Sequence, residues 1–243
     1  MNFLATPNRA FASTVQDAWW ETGIDDEPQP ISTLALEATR ASEAFAPDTA
    51  PVLKTGAGRA EILAVFDRAE RAATAGDWRT AAELFLTMVE SSPLFGPGYV
   101  GLASASFAIG DVATGAMALE HAITIYPDNP ILHSQLGVAL AHSGHLERAQ
   151  EAFLKVLELE PHNVDAIISL AHLCRASRHF IEAVELLDQA HSLEPNNANV
   201  IGAIGTCALD LGDRVSAEAS YRRLVALDPQ HAEVQLLAER LAR

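Results

Sequence analysis

Histidine is the residue type here that most invites a chemical reading. Eight of the nine histidines fall between His121 and His191, and His142, His145, His162, His172 and His179 could be drawn together as a metal cluster. Neutral imidazole is a common metal ligand, and it is the side chain that titrates near physiological pH. A stable zinc site, however, wants a fuller ligand set than two histidines supply. The two cysteines, Cys174 and Cys207, lie inside apolar runs, where a thiol behaves as a small hydrophobe, and they suggest no disulfide framework. Gly56-Ala57-Gly58 and Gly96-Pro97-Gly98 are not followed by Lys-Ser or Lys-Thr, so no phosphate loop is present, and no nucleophile elbow or zinc-protease motif occurs. The expectation is no catalytic residue, no cofactor and no metal. A two-histidine metal or pH-sensing site at His142 and His172 is the chemical alternative.

The elements that position these residues are set by a repeat. Pro93, Pro127, Pro161, Pro195 and Pro229 recur at one constant interval, and such self-similarity has to be read before any motif. It defines units at 62–95, 96–129, 130–163, 164–197 and 198–231. At a fixed distance before each proline stand Gly76, Gly110, Gly144, Arg178 and Gly212. Glycine tolerates positive φ and so ends one helix and turns the chain. Arg178 departs from that column, and a different turn is expected there. Asp77, Asp111 and Asp213 follow the glycines as N-caps for a second helix, with His145 and His179 in the same column. Ala81, Gly115, Ala149, Ala183 and Ala217 let two antiparallel helices approach. Phe85, Leu119, Phe153, Leu187 and Tyr221 fill the groove beyond. Proline stops the second helix, and Asn129, Asn163 and Asn197 cap the next first helix.

These columns resemble the tetratricopeptide repeat family, whose unit carries the pattern W-x2-L-G-x2-Y, then A-x3-F, then P. Val65, Tyr99, His133, Ile167 and Ile201 stand in its tryptophan column. The resemblance implies an all-α fold, a right-handed α-α superhelical solenoid of five helix pairs over 59–243. A capping helix over 230–243 covers the last apolar face, as a solenoid end requires. Residues 1–58 read differently. Pro28, Pro30, Pro47, Pro51 and the run Asp25-Asp26-Glu27 point to a largely disordered leader. Two short helices are expected in it at 10–21 and 31–45, and Trp19-Trp20 is a candidate for packing on the first repeat, for docking or for self-association.

In the family, the first helices line a concave surface on which repeat positions 2, 5, 6, 9, 12 and 13 face a ligand. Carried over, this selects Phe66 and Glu70, then Val100, Ser104 and Phe107, then Ile131, Gln135, Val138 and His142. The fourth repeat adds Ile168, His172 and Arg175, and the fifth Thr206 and Leu209. The same positions also select Asp67, Ser134, Asp165, Ser169, Asn199 and Asp210. Of the Lys, Arg and Asn that a carboxylate-clamping co-chaperone needs, only Arg175 and Asn199 are present. The face reads as an apolar strip, with Phe66 and Phe107 its expected exposed anchors.

Composition sets the outer limits. At 49% hydrophobic and 20% charged residues the chain has the balance of a folded protein. A net charge of -16 repels phosphate backbones and anionic lipid, and no apolar run approaches the roughly 18 residues of a membrane helix. Nucleic acid and membrane insertion are therefore disfavoured as partners. Without a secretory signal pattern at the start, the expected place is the cytoplasm. The functional expectation is a non-catalytic scaffold or adaptor. It would bind a protein or peptide segment with apolar anchors and basic flanks, in the assembly of a larger complex. A cytoplasmic chaperone for secreted or membrane-inserting proteins is the alternative.

Overall fold

A computed structural model describes residues 59–242, which form eleven α-helices with no strand among the described residues. The leader, its two short helices and Trp19-Trp20 lie outside those residues. The helices are α1 (Arg59–Thr74), α2 (Trp78–Ser91), α3 (Gly96–Ala108), α4 (Val112–Ile125), α5 (Pro130–His142) and α6 (Leu146–Leu159). They continue with α7 (Val164–Ala176), α8 (Phe180–Leu193), α9 (Ala198–Asp210), α10 (Arg214–Leu227) and α11 (Ala232–Ala242). Corresponding helices start at the interval of the prolines: Gly96, Pro130, Val164 and Ala198 in one series, Trp78, Val112, Leu146, Phe180 and Arg214 in the other. The fold is an all-α helix-pair solenoid. It divides into two compact units, one ending at Ser143 and one running from Gly144 to Arg243.

Each turn inside a helix pair is built from one short run. The Gly76 N–H donates to the Ala73 carbonyl and the Asp77 N–H to the Ala72 carbonyl, both at 2.9 Å. This doubly bonded ending requires a left-handed residue between the helices, and Gly76, Gly110 and Gly212 take φ of 79°, 81° and 77°. The residue after the glycine then starts the next helix. Asp77, Asp111 and Asp213 accept from the N–H groups of Thr80, Thr114 and Ser216 at 3.2, 3.1 and 3.1 Å. Hydrogen bonds from the Thr80, Thr114 and Ser216 hydroxyls, and then those N–H bonds, hold all three carboxylate pKa values below the ordinary one.

The fourth repeat does not turn differently, contrary to the expectation from its sequence. Arg178 adopts φ 61°, and the His179 N–H donates to the Cys174 carbonyl at 2.8 Å, reproducing the glycine geometry. Tertiary packing holds the chain there at a conformational cost of about 1–2 kcal/mol for a side chain in the left-handed region. The asparagine caps form between repeats: Asn129 accepts from Ile131 N–H at 3.0 Å, Asn163 from Ala166 at 2.9 Å and Asn197 from Asn199 at 2.9 Å.

Packing follows the small and large columns. Ala81, Ala149, Ala183 and Ala217 are buried, and so are Phe85, Leu119, Phe153 and Leu187. In the first unit each helix from α1 to α5 packs on the next. Gly115 of α4 faces the Phe107 ring so closely that a Cβ there would sit 2.3 Å from Phe107 Cε1. In the second unit Ile167, Ile168, Leu187, Val200 and Cys207 form the core of α7, α8 and α9. Ile201, Leu224 and Leu237 form a smaller core where α11 meets α9 and α10.

Candidate functional site

The face expected to bind a ligand is much less open than its sequence pattern implies. In the first unit Val100, Ser104 and Phe107 of α3 are 1%, 8% and 4% exposed. Phe107 is not an exposed anchor: its ring occupies the space that Gly115 leaves. Ser104 turns its hydroxyl back to the Val100 carbonyl at 2.9 Å. Phe66 is half-buried, edge-on to both Phe85 and Phe95, with centroids 5.9 and 5.6 Å away. It too serves the core first. Glu70 is half-buried on α1, and its carbonyl accepts from the Thr74 hydroxyl at 2.8 Å.

What stays accessible in this unit is one stripe on α5. Ile131 is 41% exposed, Ser134 and Val138 are half-buried and His142 is exposed. Spacings of three, four and four residues place them on one helical face. Partial desolvation of the His142 ring lowers its pKa. Gln135 lies beside the stripe, 5% exposed, and its Nε2 has no hydrogen-bond acceptor among the described residues. An amide donor left unused in a buried place costs about 1–3 kcal/mol. Electrostatics around the stripe are one-sided. From Arg79 to Arg148 the chain has no other Lys or Arg, while Glu83, Glu90, Asp111, Glu120, Asp128 and Glu147 fall between them.

The second unit presents ionic cross-bracing instead of an apolar strip. Ile168 is 7% exposed and belongs to the core. Thr206, at 1%, satisfies its hydroxyl on the Ala203 and Gly202 carbonyls at 3.0 and 3.2 Å. Leu209 packs against the α9–α11 core. Ile168 and Thr206 are both too buried to offer a ligand an open surface. Arg175 donates from Nε and Nη2 to Asp210 Oδ2 at 2.9 and 2.7 Å. Arg240 donates to Asp210 Oδ1 at 2.8 Å, so one carboxylate ties α7, α9 and α11 together.

Arg175 Nη1 also donates to His172 Nδ1 at 3.2 Å, which requires an unprotonated nitrogen there. Burial, and then the Arg175 charge, push the His172 pKa down to about 4 against the opposing pull of Asp210. His172 is thus a neutral acceptor, and not a groove cation.

Three further groups, His231, Glu233 and Arg240, are not singled out by the repeat pattern. His231 Nε2 donates to Asn199 Oδ1 at 2.8 Å, and its Nδ1 accepts the Glu233 N–H at 3.3 Å. The Glu233 side chain is 20% exposed, yet its Oε2 accepts no hydrogen bond among the described residues. Burial, only partly offset by Arg175, raises its pKa to about 7. The register alone holds a signal: Arg240 stands one repeat length after Thr206 and two after His172, so α11 lies where another first helix would.

Thiol and metal chemistry gain no support from the geometry. Burial, then the carboxylate of Glu182, pushes the Cys174 thiol up to about 11, and burial raises Cys207 likewise, so both are protonated near neutrality and poor nucleophiles. His133 is held by the Pro127 carbonyl at 2.8 Å, and His121 stacks on Tyr99 with centroids 5.3 Å apart. Among the described residues no three His, Cys, Asp or Glu are grouped to hold a metal.

Tetratricopeptide repeat models match residues 66–130, 130–163 and 175–241. The chain belongs to the tetratricopeptide repeat family. Within that family it is similar to Protein FlbA of Caulobacter vibrioides, 26% identical over 166 residues, covering 68% of this chain and 28% of FlbA. It is also similar to the Peroxisomal targeting signal receptor of Candida albicans, 31% identical over 113 residues, 45% of this chain and 19% of the receptor. The chain thus spans under a third of either relative. Among solved structures, MamA from Desulfovibrio magneticus RS-1 superposes with a TM-score of 0.64 at 13% identity, over 70% of this chain and 97% of MamA. YrrB, described as a tetratricopeptide repeat protein with an unusual peptide-binding site, gives 0.59 at 15% identity, over 84% and 99%. At those identities the likeness is one of fold. Tetratricopeptide repeats generally mediate protein–protein interaction and complex assembly, and the fold is typically non-catalytic. No helix among the described residues is long and apolar enough to cross a membrane.

Proposed function

We propose that this chain is a non-catalytic adaptor that holds a protein segment with apolar anchors against the α5 stripe, as one step in building a larger complex. The observation that carries the reading is the stripe itself: Ile131, Ser134, Val138 and His142 on one accessible helical face, with the unused Gln135 amide beside it. Two apolar anchors would meet Ile131 and Val138. Covering about 150–200 Å² of apolar surface contributes about 4–5 kcal/mol before ordering and association costs, which is weak by itself. Basic flanks on the ligand would supply the remainder, because the surrounding stretch is purely acidic. Phe66, Val100 and Phe107 then serve the packing of the first unit, with no direct contact to the ligand. The two free cysteines suit a reducing compartment such as the cytoplasm.

The test is affinity capture with the full-length chain, compared with an Ile131→Glu, Val138→Glu variant and read by quantitative mass spectrometry. The expected result is a defined set of proteins lost at least tenfold from the variant, while circular dichroism shows the same helicity. Capture indifferent to both substitutions removes the α5 stripe from consideration. If the lost set consists of unfolded export substrates, the chaperone reading replaces the adaptor one.

A further inference from the structure

Helix α11 lies on α9 and α10 and is held by few apolar contacts. Leu237 is its one fully buried residue, set beside Ile201 and Leu224. What shapes the contact is the acceptor surface. A Cβ added to Gly202 would lie 1.6 Å from Glu233 Oε2, and one added to Gly205 would lie 2.9 Å from Leu237 Cδ1. Helix α9 therefore has a notch at each of two points four residues apart on the arriving helix, where a longer side chain would hold the backbones apart. A third point follows three residues on, where Asp210 receives Arg240. The groove thus reads a helix at positions i, i+4 and i+7, which form one face.

Leu237 and Arg240 suit their places. Glu233 does not. Its Oε2 is buried without a hydrogen-bond donor among the described residues. His231 Nδ1, 3.6 Å away, already accepts from the Glu233 main-chain N–H. Of the charges on the elements around it, Arg175 and Asp210 bind each other, and Arg240 on its own helix binds the same Asp210. On α10, Arg214 and Arg222 pair with Glu218, and Arg223 donates to the Pro195 carbonyl. His172 is neutral. A carboxylate with one oxygen enclosed and unpartnered opposes the docking of the helix that carries it.

We propose that the α9–α10 groove is an acceptor site for an amphipathic helix of a partner protein, with α11 its built-in and imperfect occupant. The partner helix carries an uncharged residue in the place of Glu233, a leucine four residues on and an arginine seven residues on, and it displaces α11 because it buries no unpartnered carboxylate. The site is separate from the α5 stripe, and neither reading rests on the other. Near and above pH 7, where Glu233 gives up its proton, the resident helix competes least well.

The experiment uses the full-length chain and two fluorescent synthetic peptides of residues 230–243, one of native sequence and one with Glu233→Gln, read by anisotropy above pH 7. The Gln peptide is expected to bind at least tenfold more tightly than the native one. Placing Glu233→Gln in the chain itself should weaken binding of the Gln peptide at least tenfold, since the resident helix then competes on equal terms. A Leu237→Asp change in the peptide should abolish binding. The Ile131→Glu, Val138→Glu chain should bind the Gln peptide as the parent does, which separates this site from the α5 stripe. Binding by neither peptide, equal binding by both, or indifference to Glu233→Gln in the chain overturns the proposal.

Discussion

Two buried ionisable groups of the second unit are displaced from their ordinary pKa values in opposite senses, and their effects on stability should nearly cancel. Glu233 rises from 4.5 to about 7. Between those values the unfolded chain has released the proton and the folded chain keeps it, so the folded state loses ground as pH rises. His172 falls from 6.5 to about 4. Between those values the unfolded chain takes up a proton and the folded chain refuses it, so the folded state gains as pH rises. Each displacement corresponds to about 3 kcal/mol, at about 1.4 kcal/mol per pH unit. Across the shared window, pH 4.5 to 6.5, the two slopes oppose, and the parent chain should show little net change from this pair.

Substitution separates them. Glu233→Gln should leave a second unit that gains about 3 kcal/mol as pH rises from 4 to 6.5 and that exceeds the parent by a similar amount above pH 7. His172→Gln should lose stability from 4.5 to 7, and the double variant should again be flat. His142 and the capping aspartates titrate in all four chains, so differences between chains isolate the pair. The assay is amide hydrogen exchange of α9 and α11 corrected for intrinsic rates, where about 3 kcal/mol appears as about a hundredfold change in protection. A Glu233→Gln chain with the same pH profile as the parent refutes the reasoning.

Three other expectations concern the frame. Arg178→Gly should stabilise the chain by about 1 kcal/mol in urea unfolding, since glycine adopts the left-handed turn without strain; an unchanged or lower midpoint would mean the arginine makes a compensating contact. Asp210→Ala leaves two guanidinium groups without their shared carboxylate and should cost about 3–5 kcal/mol, more than Arg240→Ala, as read in the same unfolding assay. Gly115→Ala drives a methyl against the Phe107 ring and should cost about 1–3 kcal/mol, with Phe107→Leu in the same chain recovering part of the loss in thermal melts.

The helix-pair frame is legible in the sequence because each column has a local cause. Glycine and aspartate fix one turn within a short run, and proline and asparagine fix the next, so the expectation needs no long-range information. Arg178 misleads for the complementary reason: packing of α7 on α8 overrides one unfavourable residue. Phe107 misleads because its position in the repeat faces a ligand in the family, but the repeat also carries glycine at 115, and the ring turns toward that vacant space. The inner face of the second unit is legible only through the register of Arg240 with Thr206 and His172. Its bonding depends on Asp210 meeting two arginines 35 and 30 residues away, and on a capping helix whose register falls outside the five complete units. Pattern reading finds surfaces, while pairing across helices decides whether they stay open.

The fused turn has a consequence for how such a chain can change. Asp77, Asp111 and Asp213 each end one helix through the backbone and begin the next through the side chain, so no spare residue lies between the two jobs. Inserting or deleting a single amino acid there must break one of them. A whole repeat module, cut anywhere and rejoined in register, carries every turn with it intact. The array is therefore tolerant of change in steps of one module and brittle to change in steps of one residue, and its length is free to vary in evolution while its hairpins are not.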